Sequence, residues 1–238
     1  VNEAVVLDTT RHMDGLVAFD ADERRARAQP GITLGELNAT LADEGLKFAP
    51  DPAWGDKSVL GGAIGNNSTG AHSLKYGKTD AYVEECEVVL ADGTVTTVGE
   101  LPREELDARA DPDGDLEARI YAEIDRLIDD YGDTVESAYP DLKRNVSGYN
   151  LDRVVYENDA GERVMNLSKL LVGAEGTLGV VVEATVSLVE TPAATAVGLY
   201  CFDDLLDAMR AVPEALSLDA SAVELMDDDV FSLAADSP

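Results

Sequence analysis

Two glycine-rich segments contain the residues of this sequence best suited to bind a ligand. The first, at 60–70, alternates glycines with apolar residues that must be buried and then continues with Asn66, Asn67 and Ser68. The second, at 173–179, leads directly into an apolar stretch with the pattern of a strand. Backbone without a Cβ atom lets a ligand come close to the peptide N–H groups, so both segments favour binding of a pyrophosphate or a flat ring. A tight surface turn, the simplest alternative, needs only one or two glycines.

Other nucleotide-binding and metal-binding patterns are not matched. Gly77-Lys78-Thr79 has the form of the end of a P-loop, but His72 stands where that motif requires its first glycine. No G-x-G-x-x-G motif follows a strand-like stretch, which disfavours a nicotinamide-binding Rossmann unit. His12 and His72 are far apart and have no cysteine nearby, so we predict no metal site. The two cysteines are solitary, which fits a reducing compartment.

Six segments together resemble one family, the flavoproteins of the vanillyl-alcohol oxidase type with a PCMH-type FAD-binding domain. The branch that oxidises D-2-hydroxyacids fits best; it includes the glycolate oxidase FAD subunit, D-lactate dehydrogenases and D-2-hydroxyglutarate dehydrogenases. The matching segments are PGITLGEL (30–37), PDP (50–52), LGGAIGNNSTGAHSLKYGKT (60–79), VVLADG (88–93), SGYNL (147–151) and VGAEGTLGVVVEATVSLV (172–189). They occur in order over most of the chain, which makes the resemblance much more specific than any single motif.

The resemblance implies that FAD lies between two small α/β subdomains. Residues 50–62 would approach the pyrophosphate and ribityl chain, 66–72 would follow the flavin, 149–150 would lie near its ring, and 175–181 would hold the other flank. The implied cofactor-binding residues are Pro50, Asp51, Pro52, Ser58, Gly61, Gly62, Asn66, Asn67, Ser68, Gly70, His72, Tyr149, Asn150, Glu175, Gly176, Gly179, Val180 and Val181. All are loop positions with free backbone donors or small side chains.

The resemblance also implies a reaction. A D-2-hydroxyacid of the lactate, glycolate or 2-hydroxyglutarate class would give hydride to FAD, and electrons would pass to a quinone, cytochrome or iron–sulfur partner. No catalytic base is assigned, because the substrate domain with its basic and histidine ligands would lie largely beyond Pro238. Two other functions remain open: a non-catalytic flavin-binding or assembly subunit of an electron-transfer complex, and a domain without a cofactor, against which the glycine segments argue.

The chain has the features of a piece of a longer protein. It begins at Val1 without a methionine, and the glycine-rich pyrophosphate loop of the family would precede the strand expected at 4–7. We therefore expect the piece alone to hold FAD weakly or not at all and to be inactive.

The predicted fold class is α+β, organised as two small α/β subdomains and the start of a ferredoxin-like cap. The predicted units are the remainder of a first FAD-binding subdomain (1–57), a second FAD-binding subdomain (58–190) and the beginning of the cap (191–238). Thr33 and Glu36 form a capping-box pattern, and Asp92-Gly93 is a hairpin signal. Strands are predicted at 4–7, 16–19, 24–28, 83–90, 94–98, 151–156, 163–165, 180–189, 196–202 and 223–226, and helices from Thr33 to Gly45, at 115–131 before Gly132, and after Asp203 or Asp204.

The charge is strongly negative. Eighteen Lys and Arg against 48 Asp and Glu give a formal net charge of −30, with a pI of about 4.1. Nucleic acid is all but excluded as a partner. The carboxylates are dispersed along the chain, and their repulsion is damped when the Debye length falls from about 10 Å at 0.1 M salt to about 3 Å at 1 M. These features favour a halophilic protein. No apolar run approaches the roughly 20 residues of a membrane span. With two solitary cysteines, we expect a cytoplasmic protein, either free or peripheral on the inner face of the membrane.

Overall fold

The structure is a computed structural model that describes residues 5–142, 144–146 and 148–235. The strands are β1 (Leu16–Asp20), β2 (Arg25–Ala28), β3 (Leu46–Lys47), β4 (Val83–Val89), β5 (Val95–Val98), β6 (Glu100–Pro102), β7 (Val155–Glu157), β8 (Arg163–Asn166), β9 (Val180–Ser187) and β10 (Val189–Glu190). The helices are α1 (Leu34–Leu41), α2 (Leu60–Gly65), α3 (Ser73–Tyr76), α4 (Arg103–Arg109), α5 (Leu116–Ala138), α6 (Ser168–Leu171), α7 (Leu205–Ser217) and α8 (Asp228–Ala235), with 3-10 turns at Ala42–Glu44, Thr79–Ala81 and Leu151–Arg153.

A five-stranded antiparallel sheet with the order β1-β2-β9-β4-β5 forms the centre of the fold. Two smaller sheets, β10-β3 and β6-β8-β7, accompany it. The α+β class is therefore confirmed. Strand β9 occupies the middle of the large sheet, between β2 and β4. The second glycine-rich segment, which directly precedes β9, is thus anchored at one end by the most central strand. The division of the chain into 1–57, 58–190 and 191–238 stays a prediction.

Local signals in the sequence account for several elements. The Thr33 hydroxyl accepts a hydrogen bond from the Glu36 N–H at 3.1 Å, and the Glu36 carboxylate accepts one from the Thr33 N–H at 3.3 Å, so the predicted capping box is confirmed. The helical turn after α1 ends at Gly45, whose φ of +67° is in the left-handed region. The hairpin of β4 and β5 turns at Asp92, whose carboxylate accepts from the Thr94 N–H at 2.9 Å. This hydrogen bond lowers the pKa of the Asp92 carboxyl.

One cluster of buried side chains joins the large sheet to the helices. It includes Ala26, Cys86 and Val186 of the sheet together with Leu37 of α1 and Ile64 of α2. Alternate residues of β2, β4 and β9 point into this cluster, as a sheet covered on one face requires. Cys86 is fully buried. The core thus anchors the first glycine-rich segment, because α2 belongs to that segment and packs into the core.

Helix α5 is longer than the sequence indicates. The prediction that it ends at Gly132 is wrong, because the helix continues to Ala138. One glycine in a helix costs only about 1 kcal/mol relative to alanine, which the residues that follow can offset. The helix ends instead at Tyr139, which adopts an extended ψ of 131° and precedes Pro140. The residue before a proline is sterically disfavoured in the helical region, so Pro140 is the stop signal.

Some predicted strands do not form. Residues 5–7 lie outside regular structure, and Ala4 lies outside the described residues. Residues 151–153 form a 3-10 turn, which leaves only Val155–Glu157 as a strand. The strands predicted at 196–202 and 223–226 are also absent, because within the described residues neither stretch has a neighbouring strand with which to exchange backbone hydrogen bonds.

The segment after β10 packs little against the rest of the chain. Helix α7 begins as predicted, with the Asp204 carboxylate accepting from the Leu206 N–H at 2.7 Å. Before it, Val197, Leu199 and Tyr200 are 99%, 81% and 78% exposed. The total accessible surface is 15,082 Å². A compact protein of this mass exposes roughly 10,000 Å², so this segment contributes to a substantial excess of surface.

Candidate cofactor-binding site

The first glycine-rich segment folds into the short helix α2 and packs closely on residues 30–34. The Gly61 N–H donates to the Pro30 carbonyl at 2.8 Å, and the Leu60 N–H donates to the Ile32 carbonyl at 2.9 Å. A Cβ atom on Gly61 would lie 2.7 Å from the Pro30 Cβ. Gly61 is therefore required for this close approach of two backbones.

The two glycine-rich segments meet through their backbones. The Gly173 N–H donates to the Ile64 carbonyl at 2.9 Å, and the Glu175 N–H donates to the Gly65 carbonyl at 3.1 Å. Gly173 has a φ of +92°, a conformation that side-chain-bearing residues rarely adopt. These hydrogen bonds place segments more than 100 residues apart in sequence side by side, as a shared binding site would require.

Asn67 is the buried polar residue at the end of α2. Its side chain is fully buried and its φ is +47°. The side-chain Oδ1 accepts from the Asp80 N–H at 3.0 Å, while Nδ2 is buried and has no hydrogen-bond partner among the described residues. A buried donor without an acceptor is costly, so Nδ2 is a candidate to bind an acceptor atom of a ligand. The neighbouring Ser68 carbonyl accepts from the Thr79 N–H at 3.1 Å.

Asp51, Gly70 and His72 join the PDP segment to the end of the first glycine-rich segment. His72 Nδ1 is hydrogen-bonded to Asp51 Oδ2. Gly70 lies so close to Asp51 that a Cβ atom would collide with the Asp51 carbonyl oxygen. His72 is therefore oriented by Asp51.

Tyr149 and Asn150 reach the second glycine-rich segment. The Tyr149 hydroxyl lies 2.9 Å from the Thr177 hydroxyl, and Asn150, which is buried, donates from Nδ2 to the Val172 carbonyl at 2.8 Å. The Tyr149 ring remains 43% exposed. The structure thus brings 149–150 to the second glycine-rich segment, and their position near the flavin ring stays a prediction.

Two glycines leave room beside their Cα atoms. A Cβ atom on Gly62 would make only an ordinary contact of 3.5 Å with Val59 Cγ2, and one on Gly176 would meet nothing within 4 Å. Both glycines are exposed, as are Asn66 and Glu175. The backbone at these positions is open to a ligand, which fits a cofactor held by main-chain groups.

The remaining predicted residues have mainly structural surroundings. Gly179 packs against β4, since its Cβ would lie 2.7 Å from Val88 Cγ2, and Val180 and Val181 pair with β4 inside the sheet. Pro50 is buried, and Pro52 and Ser58 are half-buried on the connection between β3 and α2. The Ser58 carbonyl accepts from the Leu34 N–H at 2.9 Å.

The sequence did not predict a buried charge network next to Asn67. The Lys78 ammonium lies 2.8 Å from Asp80 Oδ2 and donates to the Asn145 carbonyl at 2.7 Å. Lys169 Nζ donates to the carbonyls of Asp80 and Val83, at 2.8 and 2.6 Å. Burial lowers the pKa of Lys169. Lys78 therefore does not serve as a free cation for a phosphate. The Lys78–Asn145 and Lys169–Asp80 contacts span 67 and 89 residues of sequence, so no local sequence pattern predicts them.

The site segment is cationic relative to the rest of the chain. Residues 45–80, which include the Lys78–Asp80 pair, contain four lysines and three aspartates, a net charge of 4 − 3 = +1, whereas the whole chain carries −30. Local positive charge favours an anionic ligand.

Two cavities lie elsewhere, along α5. One, of about 600 Å³, is lined by Asp107, Arg119 and Arg126 among others, and the other, of about 440 Å³, is an apolar space between α5 and β4–β5. Neither is lined by a residue of the predicted cofactor set. In the part of the chain that the structure describes, no group of three or more His, Cys, Asp or Glu could hold a metal ion, and no helix is long and apolar enough to cross a membrane.

Comparison with known proteins finds a matching family model. Residues 1–99 match the family model described as FAD binding domain. The resemblance inferred from the sequence is thereby confirmed, together with FAD as the cofactor of the family.

The relatives of this chain are much longer proteins. The chain is 30% identical over 237 residues to a D-2-hydroxyglutarate dehydrogenase of Pantoea ananatis, covering 98% of the chain and 22% of the relative. It is 26% identical to a mitochondrial D-lactate dehydrogenase [cytochrome] of Saccharomyces cerevisiae (98% and 30%) and 28% identical to glycolate oxidase subunit GlcD of Bacillus subtilis (87% and 32%). The chain thus spans between a fifth and a third of these relatives. A solved alkyldihydroxyacetonephosphate synthase is similar with a TM-score of 0.47 and 22% identity, over 79% of this chain and 23% of that one.

Proposed function

We propose that this domain holds FAD against its two paired glycine-rich segments, as part of an enzyme that oxidises a D-2-hydroxyacid. The observation that supports this most strongly is the backbone pairing of Gly173 with Ile64 and of Glu175 with Gly65. It joins the two segments on which both the sequence motifs and the resemblance depend.

The residues present fit such a cofactor. Gly62 and Gly176 offer open backbone, Asn67 has a buried donor without a partner in the described part of the chain, and the segment around them is positively charged within an acidic chain. In this proposal Asn67 donates to an acceptor atom of the cofactor, and Tyr149, held by Thr177, limits access of water from one side. FAD, when bound, supplies the acceptor for the hydride of the hydroxyacid.

The other proposed cofactor residues have narrower roles. Asp51 orients His72 through a hydrogen bond. Gly70 lets its own backbone come close to the backbone of Asp51. These three residues therefore shape the site while His72 keeps its hydrogen bond to Asp51. Gly179, Val180 and Val181 connect the second glycine-rich segment to the sheet. They would fix the position of that segment relative to the cofactor.

The substrate and the electron acceptor of the whole protein are part of the proposal. Relatives named D-2-hydroxyglutarate dehydrogenase, D-lactate dehydrogenase and glycolate oxidase support a small 2-hydroxyacid as substrate. We propose that electrons leave to a quinone, a cytochrome or an iron–sulfur partner.

The test is reduction of the flavin by substrate in the whole protein that contains this domain. The protein is mixed without oxygen with D-lactate, glycolate or D-2-hydroxyglutarate, and the visible flavin absorbance is followed. We expect one of these acids to bleach the flavin and, where the acid is chiral, the L enantiomer to react far more slowly. Absence of bound flavin, or a flavin that none of these acids reduces, would contradict the proposal.

We further propose that the protein works in molar salt, in the cytoplasm or peripherally on the inner face of a membrane. The net charge of −30 and the dispersal of carboxylates along the chain support the salt adaptation. The location is inferred from the solitary cysteines, Cys86 and Cys201, which fit a reducing compartment.

A further inference from the structure

We propose that Lys78 is a positioning residue that connects both halves of the cofactor site through one buried ammonium group. The Lys78 strap consists of the Lys78 side chain, the Asp80 carboxylate and the Asn145 carbonyl. This inference rests on the proposed function, because it concerns the geometry of the same site.

The strap is built inside the protein. The side chains of Lys78 and Asp80 are only 8% and 10% exposed. A buried ion pair is tolerated when hydrogen bonds satisfy its members, and Lys78 has a carboxylate and a carbonyl as acceptors. With so little exposed surface Lys78 does not touch a ligand, so any effect on the cofactor passes through its neighbours.

One end of the strap fixes Asn67. The Asp80 carboxylate is held by Lys78, and the Asp80 N–H is the donor that binds Asn67 Oδ1 at 3.0 Å. Because Oδ1 is engaged there, the other amide atom, Nδ2, can point in only one direction. The orientation of the unpartnered donor therefore depends on the position of the Asp80 turn.

The other end of the strap fixes the segment that contains Tyr149. The Asn145 carbonyl accepts from Lys78, and a few residues later Tyr149 and Asn150 contact Thr177 and Val172 of the second glycine-rich segment. A single ammonium group thus ties the first segment, through Asn67, to the loop that covers the second.

Lys169 supports the same turn from the sheet. Its ammonium donates to the carbonyls of Asp80 and Val83, so the turn is attached to the first residue of β4. The turn is therefore held on two sides, by Lys78 at its carboxylate and by Lys169 at its backbone.

The test separates positioning from stability. In the whole flavoprotein, Lys78→Met combined with Asp80→Leu replaces the ion pair by apolar groups, which often leaves stability nearly unchanged. We expect a melting temperature close to that of the wild type, an FAD dissociation constant raised tenfold or more, and altered visible circular dichroism of the bound flavin. Arg210→Met combined with Asp207→Leu is the matched control, since it removes an exposed ion pair of α7, away from the proposed site, and it should leave all three readouts unchanged. Wild-type flavin affinity and dichroism in the double variant would overturn the proposal.

A measurement on the wild type needs neither variant nor cofactor. The Thr79 and Asp80 amides report on one end of the strap, and the Arg153 amide, which donates to the Asn150 carbonyl, reports on the other. If the strap joins its two ends, the two ends open together, so these amides should exchange hydrogen with the same protection. Protection factors that differ by more than tenfold would refute the strap even if the double variant did not fold. A protein that bound no FAD but showed matched protection would contradict the proposed function alone.

Discussion

The change Gly62→Ala separates cofactor binding from folding. Gly62 lies in α2, is exposed, and an added Cβ atom would make only an ordinary contact of 3.5 Å with Val59. Alanine is favoured over glycine in a helix by up to about 1 kcal/mol. A gain of that size raises the melting temperature of a protein of this length by roughly 2–4 °C. We therefore expect a fold that is intact or slightly more stable.

The same methyl group should weaken FAD binding. It occupies the space through which a ligand would reach the backbone at Gly62, and loss of one charge-assisted hydrogen bond costs about 1.5–3 kcal/mol. At about 1.4 kcal/mol for each factor of ten, this corresponds to a dissociation constant raised roughly 10- to 150-fold. Valine at the same position should have a larger effect, because its side chain is branched at Cβ.

The assay pairs thermal unfolding with a fluorescence titration of FAD, both at high salt in the whole flavoprotein. Gly132→Ala is the matched control: Gly132 also lies inside a helix, and an added Cβ atom there would meet nothing within 4 Å. The control should gain similar stability and keep its FAD affinity. If Gly62→Ala bound FAD as tightly as the wild type, the placement of the cofactor against α2 would be wrong.

Three further outcomes follow from the structure. Gly61→Ala should destabilise the protein by about 1–3 kcal/mol in urea unfolding, because its Cβ atom would lie 2.7 Å from the Pro30 Cβ and 3.1 Å from the Pro30 carbonyl oxygen; an unchanged midpoint would refute the close packing. Cys201, which is exposed, should react quickly with a thiol reagent at pH 8, whereas Cys86 should react only on unfolding, because burial raises its pKa to about 12; two equally fast thiols in the folded protein would contradict this. The melting temperature should rise steeply between about 0.1 M and about 2 M KCl as the net charge of −30 is screened, and a flat profile would exclude salt adaptation.

The parts of the fold that the sequence predicts correctly depend on neighbouring residues. The Thr33–Glu36 capping box and the Asp92-Gly93 hairpin each form within a few residues of chain, so their patterns contain the whole interaction. The long strand β9 is recognised for a related reason, since its apolar alternation reflects burial on one face.

The parts that the sequence misses depend on distant partners. The strand predicted at 196–202 has the right composition but lacks a neighbouring strand within the described residues, and strands form only in pairs. The Lys78 strap spans 67 residues, and a lysine gives no local sign of whether its ammonium is buried. Likewise the sequence identifies both glycine-rich segments, but their contact through Ile64 and Gly173 is visible only in three dimensions.

Hydrogen exchange with and without FAD tests the central claim most directly. The account predicts that saturating FAD slows exchange in two stretches at once, residues 60–70 and 173–181, because the paired glycine-rich segments would both contact the cofactor, while α7 is unaffected. Protection of Leu116–Ala138, beside the apolar cavity, in place of the glycine-rich segments would contradict the account, as would protection of only one of the two segments.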